Sequence, residues 1–290
     1  MSTATPALTP RRTWRRHFRP PRIALHAALL VGGFLWVYPF LWAAGSSLKS
    51  EAGFIDEGLS FIPKELNWQN YVQAWTGASF GTYFINTVII TISTVVVTLL
   101  LTSMAGYALA RTSFPGKRIF LVVIVITFFL PRGYTIIPVY DLITHLHLLD
   151  TLWSVVLVQV AAGMVFNTFL FMGYFTSVAK ELEEAARVDG AGFNRIYWNV
   201  MLPLARPMLA TLGLFTFISS WNDFLTPLVF TLGQPNLRTL AVGLYAFVSQ
   251  TSTDWTALCA GSIISVAPIV LVFVFAQRHI IDAVAGAVKG

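Results

Sequence analysis

Few residues of this 290-residue chain could make or break bonds. His145 and His147, with Asp150 nearby, carry metal-ligand atoms, but the two imidazoles stand only two residues apart and read as decoration of an exposed loop, so no metal site is expected. Gly116-Lys117 is the only Gly-Lys pair. A phosphate-cradling loop needs Gly-x-x-x-x-Gly-Lys-Ser/Thr, and here Phe114-Pro115 precedes the pair and Arg118 follows it. No nucleotide-binding phosphate loop is therefore expected in this chain. No nucleophile with an adjacent base is evident, and a single cysteine, Cys259, cannot form an intramolecular disulfide. What remains is charge in apolar surroundings. Arg132 and Asp223 both lie in apolar runs, where an ion is costly and marks function. If Arg132 and Asp223 pair, or line an outer pathway together with Trp221 and Asn222, an aromatic face and hydrogen-bonding groups would suit a sugar. The alternative is that Arg132 snorkels to the outer headgroups while Asp223 caps a helix contact.

The elements that must position these residues follow from composition. Of the residues 56% are hydrophobic and 11% charged, against about 25% charged in an ordinary soluble domain. Lipid is therefore the solvent for most of the chain. A membrane-crossing helix needs about 20 mostly apolar residues, and such windows occur at six places: 23–48, 84–110, 119–140, 152–175, 207–230 and 257–276. The fold class is all-α. In the second window Thr87, Thr91, Thr94, Thr98, Thr102 and Gly106 recur every three or four residues on one helix face, a pattern that lets helices pack closely. The third runs only about 18 Å from Ile119 to Leu130 at helical rise, so it continues through Pro131, Gly133 and Pro138 and is expected to kink or unwind. At the same rise Arg132 lies about 20 Å past Ile119, and Asp223 about 24 Å past Pro207.

The 19 basic residues fix an orientation. Arg11, Arg12, Arg15, Arg16, Arg19 and Arg22 of the polar tail at 1–22 fall on one side with Arg111, Lys117, Arg118, Lys180, Arg187, Arg195, Arg206, Arg278 and Lys289. Lys49, Lys64, Arg132 and Arg238 fall on the other. Basic residues gather on the cytoplasmic side, so both termini are expected there. The same split accounts for the net charge of +6 without nucleic acid. Trp42-Ala43-Ala44-Gly45 could suggest a signal-peptide cleavage site, but the apolar run 23–48 is far longer than a signal core of about 7 to 15 residues.

The longest cytoplasmic connection, 176–206, has the clearest internal design. Glu181, Glu183 and Glu184 open a short helix and Arg187 closes it, matching the helix dipole. Gly190 falls where a left-handed cap wants glycine. A second short helix is expected from Phe193 to Val200. Leu202-Pro203 and Pro207 then open the fifth window, proline being tolerated in a first turn.

This loop resembles the motif of permease subunits of binding-protein-dependent ABC importers: Glu-Ala-Ala, three residues, Gly, nine residues, an aliphatic residue, one residue, Leu-Pro. Here it reads Glu184-Ala185-Ala186, Gly190, Val200 and Leu202-Pro203, with every gap of the right length and valine where isoleucine is usual. The similarity extends over nearly the whole chain and points to the carbohydrate branch, the subunits like the second maltose-type permease. Further segments carry it: Tyr38-Pro39, Ser46-Ser47-Leu48-Lys49, Asn67-Trp68-Gln69-Asn70-Tyr71, the run from Ala105 to Arg111, Trp221-Asn222-Asp223-Phe224 and the ending 286–290. Arg132 departs from the small or apolar residue usual there.

The resemblance implies a type I ABC importer permease fold in the plasma (inner) membrane of a prokaryote, with a transmembrane domain over 23–290. It implies a second homologous permease, two ABC ATPase subunits that bind ATP and Mg, an external solute-binding protein and a sugar substrate. The helix around Glu184 would be the coupling helix, with Glu184, Ala185, Ala186, Asp189, Gly190, Val200, Leu202 and Pro203 as the coupling residues. The chain itself would be a transport subunit and no enzyme. The loop motif does not specify the solute, so an amino-acid or peptide permease is the alternative, and an ion-coupled carrier is disfavoured by the lack of an evident repeat.

Overall fold

The computed structural model describes residues 22–77, 79–127, 129, 135–248 and 253–288. The arginine tail up to Arg19, Pro131, Arg132, Gly133 and Gln250 lie outside them. The described residues are almost wholly helical, in the order α1 (Arg22–Ser46), α2 (Glu51–Asp56), α3 (Gln69–Gly77), α4 (Phe80–Arg111), α5 (Lys117–Thr127), α6 (Ile136–His145), α7 (Leu152–Ser177), α8 (Glu181–Val188), α9 (Phe193–Ile196), α10 (Leu202–Leu204), α11 (Arg206–Trp221), α12 (Leu225–Phe230), α13 (Leu240–Gly243) and α14 (Trp255–Val288).

Among the described residues four helices are long and apolar enough to cross a membrane: Ala24–Ser46, α4, α7 and the stretch Trp255–Phe275 of α14. A fifth candidate is bent, with Phe193–Leu204 meeting Arg206–Trp221 at 74°. Within the expected third crossing the described residues form α5 and α6, of 11 and 10 residues, each too short to span alone. Pro131 and Gly133, where a kink is expected, lie outside the described residues. Pro138 falls in the first turn of α6, where a missing N–H costs nothing.

The fifth window differs from expectation, because one helix from Pro207 to Phe230 is replaced by α11, a break at Asn222–Phe224, and α12. Pro227 gives the reason: in a continuous helix its ring would clash with the carbonyl of Asp223.

The centre of the fold is the pairing of α4 with α7. All five threonines of the α4 stripe are buried, so the stripe is a packing face. At Gly106 a Cβ would lie 2.5 Å from Phe171 Cβ and 2.9 Å from the Met172 amide nitrogen. Only glycine admits that approach. At one end of the pair Tyr107, Phe171, Phe175, Ile196, Tyr197 and Met201 form a core. Toward the other end Ile90, Val155, Val156 and Phe230 form a second, and Phe80, Tyr83, Phe217 and Trp221 a third. By contrast α1 is peripheral, with Leu30 and Trp36 exposed, as suits a surface facing lipid or another membrane chain.

Beyond α1 two of the sequence segments noted above meet. Asn70 Nδ2 donates to the carbonyls of Ser47 (2.9 Å) and Lys49 (2.8 Å), the Asn67 amide donates to Leu48 O (2.7 Å), and Ser47 and Tyr71 share a hydroxyl bond of 2.8 Å. Lys49, counted above as an external cation, is buried, donates to Ser60 O at 2.7 Å and faces Glu57 at 3.5 Å.

Candidate functional site

The loop between α7 and α11 is built by local chemistry. Lys180 precedes α8, whose first turn holds Glu181, Glu183 and Glu184 and whose last turn holds Arg187, each charge complementing the helix end it occupies. Past Val188 the chain reverses in a Schellman cap. The Ala191 amide donates to Ala186 O (2.9 Å) and the Gly190 amide to Arg187 O (3.0 Å). Gly190 has φ +79°, the left-handed conformation its position called for. The second helix begins at Phe193 as expected but runs past Val200, through a π-helical turn at Tyr197–Met201 into α10. Pro203 again explains the distortion, since in an α-helix its ring would meet the Asn199 carbonyl, and a wider turn makes room.

The eight residues expected to couple divide into two groups. Glu184, Ala185, Asp189 and Gly190 are exposed. Ala186, Val200 and Leu202 pack against the core around Tyr107 and Tyr197, and Pro203 is half-buried beside them. The first group forms a surface and the second holds it in place. Leu182 and Val188 extend the exposed surface, Val188 being 88% accessible.

The strongest tie in the site is one that sequence reading missed. Glu183 turns inward and is buried, and Arg111, the last residue of α4, donates Nε to its Oε1 at 2.5 Å. The same guanidinium donates to Val178 O at 2.7 Å. Both side chains are within 6% of complete burial, which makes the bond charge-assisted and shielded from water. Arg187 adds a looser contact to Glu183 at 3.8 Å. Beside this clamp Tyr107 stacks on Phe193 with centroids 4.7 Å apart, and Tyr197, in the π turn, shares a buried hydroxyl bond of 2.8 Å with Ser103 of α4. α8 and the π turn are thus both fastened to α4. The cation closing α4 was visible in the sequence, but nothing in its spacing told it to find a carboxylate 72 residues away.

A second polar constellation occupies the break between α11 and α12. Asp223 Oδ1 accepts from the Thr226 amide (3.2 Å) and Oδ2 from Gln159 Nε2 of α7 (2.9 Å). Gln159 Oε1 in turn accepts from Thr94 of α4 (3.0 Å) and Ser220 of α11 (2.6 Å). Irregular backbone at membrane depth persists only where its polar groups are satisfied in this way. Among the described residues the partners of the carboxylate are thus Gln159 and Thr226, and Arg132 lies outside them. The reading of Trp221 as an aromatic wall needs correcting. Its ring is buried, stacks on Phe217 at 5.3 Å and donates Nε1–H to Ser265 O at 2.9 Å, because the helix turns that face onto α14. Asn222 is exposed and donates to Ile218 O at 2.9 Å. His145 and His147 stand exposed, and among the described residues no three metal-ligating side chains gather.

Known proteins share this architecture. The chain is 36% identical to the probable ABC transporter permease protein YurM of Bacillus subtilis, over 87% of this chain and 84% of that protein. It is 34% identical to the diacetylchitobiose uptake system permease protein NgcG of Streptomyces coelicolor, over 89% and 86%. A crystal structure of a bacterial ABC transporter involved in the import of the acidic polysaccharide alginate contains a chain that superposes with a TM-score of 0.76 at 27% identity, covering 94% of this chain and 99% of that one. The family model for binding-protein-dependent transport system inner membrane components matches residues 82–286, from the start of α4 to the end of the chain's last helix and across both polar sites, so this chain belongs to that family of membrane transport subunits.

Proposed function

We propose that this chain is one permease of an ATP-driven importer that carries a saccharide, handed over by an external solute-binding protein, across the inner membrane by alternating access. A second, homologous permease would complete the pathway. Two ATPase subunits would bind ATP and Mg, and both termini of this chain would lie in the cytoplasm. The observation that carries the reading is the construction of α8: Arg111 and Glu183 clamp it from behind, while Glu184, Ala185, Val188 and Asp189 are left exposed on the other side.

Such a helix, about 12 Å long, can seat in a cleft of an ATPase subunit and pass its rigid-body movement through the clamp to α4 and through Ala186, Val200 and Leu202 to α7. To swing a gate from 1:99 to 99:1 takes about 5.5 kcal/mol of differential binding, which ATP-driven closure would deliver at this surface. A sugar substrate is supported by the uptake named for the Streptomyces relative and by the alginate importer's matching chain. The polar break around Asn222 and Asp223 offers hydrogen-bonding groups of the right kind.

The test is reconstitution of the assembled transporter in vesicles, with ATP inside and binding protein outside. Saturable uptake of a di- or oligosaccharide is expected, and Glu184→Lys should abolish it while leaving assembly intact. Uptake of amino acids or peptides alone would overturn the substrate class, and full uptake by the variant would overturn the coupling role.

A further inference from the structure

α5 leaves an opening beside the central helix pair. It rests lightly on α7, and the face of α4 that lines the opening carries Ala105, Ala108 and Leu109. The result is a groove of about 410 Å³ walled by Phe120 and Ile124 of α5 and by Met164 of α7. A water occupies about 30 Å³ of liquid and a methylene is similar in size, so the groove holds on the order of a dozen methylenes. Thr168 is the only hydroxyl-bearing residue among its lining side chains, and α5 leaves Phe120, Val122 and Val123 exposed along its flank.

A second depression of about 500 Å³ adjoins the first, and Phe114 lines both. Its wall is also largely apolar, through Phe114 and Ile119, but unlike the first it carries two cations, Lys117 and Arg118, beside Ser113 and Gly116. Lys117 is held there by donating Nζ to Thr112 O at 2.9 Å. Among the described residues neither Lys117 nor Arg118 is paired with a carboxylate. Two uncompensated cations thus sit at the mouth of an apolar slot, one to two turns of α4 from its Arg111 end.

We infer that this pair of depressions, joined at Phe114, is a binding site for an anionic phospholipid of the cytoplasmic leaflet, with an acyl chain along Ala105 and Ala108 and the phosphate between Lys117 and Arg118. The assignment of leaflet rests on the orientation proposed above. An acyl chain suits the apolar slot, which a sugar would not wet, and the charge of the headgroup complements the cations at its mouth. The site lies beside the Arg111–Glu183 clamp, so a bound lipid would brace the end of α4 that the coupling helix moves.

The experiment is native mass spectrometry of the assembled transporter, titrated with phosphatidylglycerol and phosphatidylcholine of identical chains. A basic residue near an anionic surface strengthens attraction about fivefold. The anionic lipid should therefore bind about 25-fold more tightly, and Lys117→Gln with Arg118→Gln should remove that preference. Ala108→Phe should fill the slot and reduce retention of both lipids, with Ile124→Trp making the same test if the first variant fails to assemble. Equal binding of the two lipids, an unchanged preference in the double variant, or full retention in both slot variants would overturn the site. So would a photo-crosslinker at Phe120 that captures the partner permease instead of lipid. Labelling of a cysteine at position 118 from outside the cell would instead overturn the orientation, and with it the proposed function, so the two failures are distinguishable.

Discussion

Replacing Glu183 with alanine is the most informative single change. It leaves the Arg111 guanidinium, 5% exposed, with the Val178 carbonyl as its remaining described acceptor. Removing one partner of a buried pair costs about 3–5 kcal/mol. At about 2–4 °C per kcal/mol for a chain of this order, the melting temperature of the purified transporter should fall by roughly 6–20 °C. Glu184→Ala, one residue along on the exposed face, should change stability by less than about 0.5 kcal/mol. A third variant separates charge from packing. Arg111→Met combined with Glu183→Leu removes both ions together, and apolar replacement of a whole buried pair is often neutral, so most of the lost stability should return. Differential scanning calorimetry or fluorimetry reads all three. Equal shifts for Glu183→Ala and Glu184→Ala, or a double variant as unstable as the single, would refute the claim that the clamp holds the loop.

Three further outcomes are expected. Gly190→Val places a β-branched residue at φ +79°, a strain of about 1–3 kcal/mol, and should abolish uptake while membrane insertion, measured by immunoblot of membrane fractions, is retained. Gln159→Leu removes the donor that holds Asp223 and two hydroxyl contacts at once; it should cost about 1–3 kcal/mol, visible as a lower melting temperature, and Asp223→Asn should be milder than Asp223→Ala. Cysteines introduced at Glu184 and at Glu65, both exposed, should label from opposite sides of the membrane in intact cells and inverted vesicles, and external labelling at 184 would reverse the topology.

What the sequence disclosed was the chemistry that acts over a few residues. The start of α8 at its glutamates, its stop at Gly190 and the restart at Phe193 are all written in neighbouring side chains, and all are found. The threonine stripe of α4 gave its buried face by periodicity alone. Contacts across the fold were not legible: Arg111 finds Glu183, and Gln159 finds Asp223, only because α4, α7 and α11 converge. Trp221 shows the limit in the other direction. Its neighbours Asn222 and Asp223 are polar, which suggested a shared open face, but residues adjacent in a helix point about 100° apart. The break at Asn222–Phe224 could have been read from Pro227, as the π turn could from Pro203, had each proline been asked which carbonyl it displaces.

The π turn at Tyr197–Met201 turns the length of this segment into a mechanical dimension. A π turn accommodates one residue more than the α-helical turn it replaces. Deleting one residue there would restore regular α-helix in nearly the same phase, at the cost of setting the Pro203 ring against a carbonyl. One residue added to the turn, or a second one removed, would instead rotate everything on the Phe193 side by about 100° relative to Pro203. Tyr197 would leave Ser103, Phe193 would leave Tyr107, and α8 would point its exposed face elsewhere. The spacing between Gly190 and Leu202 is therefore held like the pitch of a screw, while the side chains of Trp198 and Asn199, both exposed, are free to change.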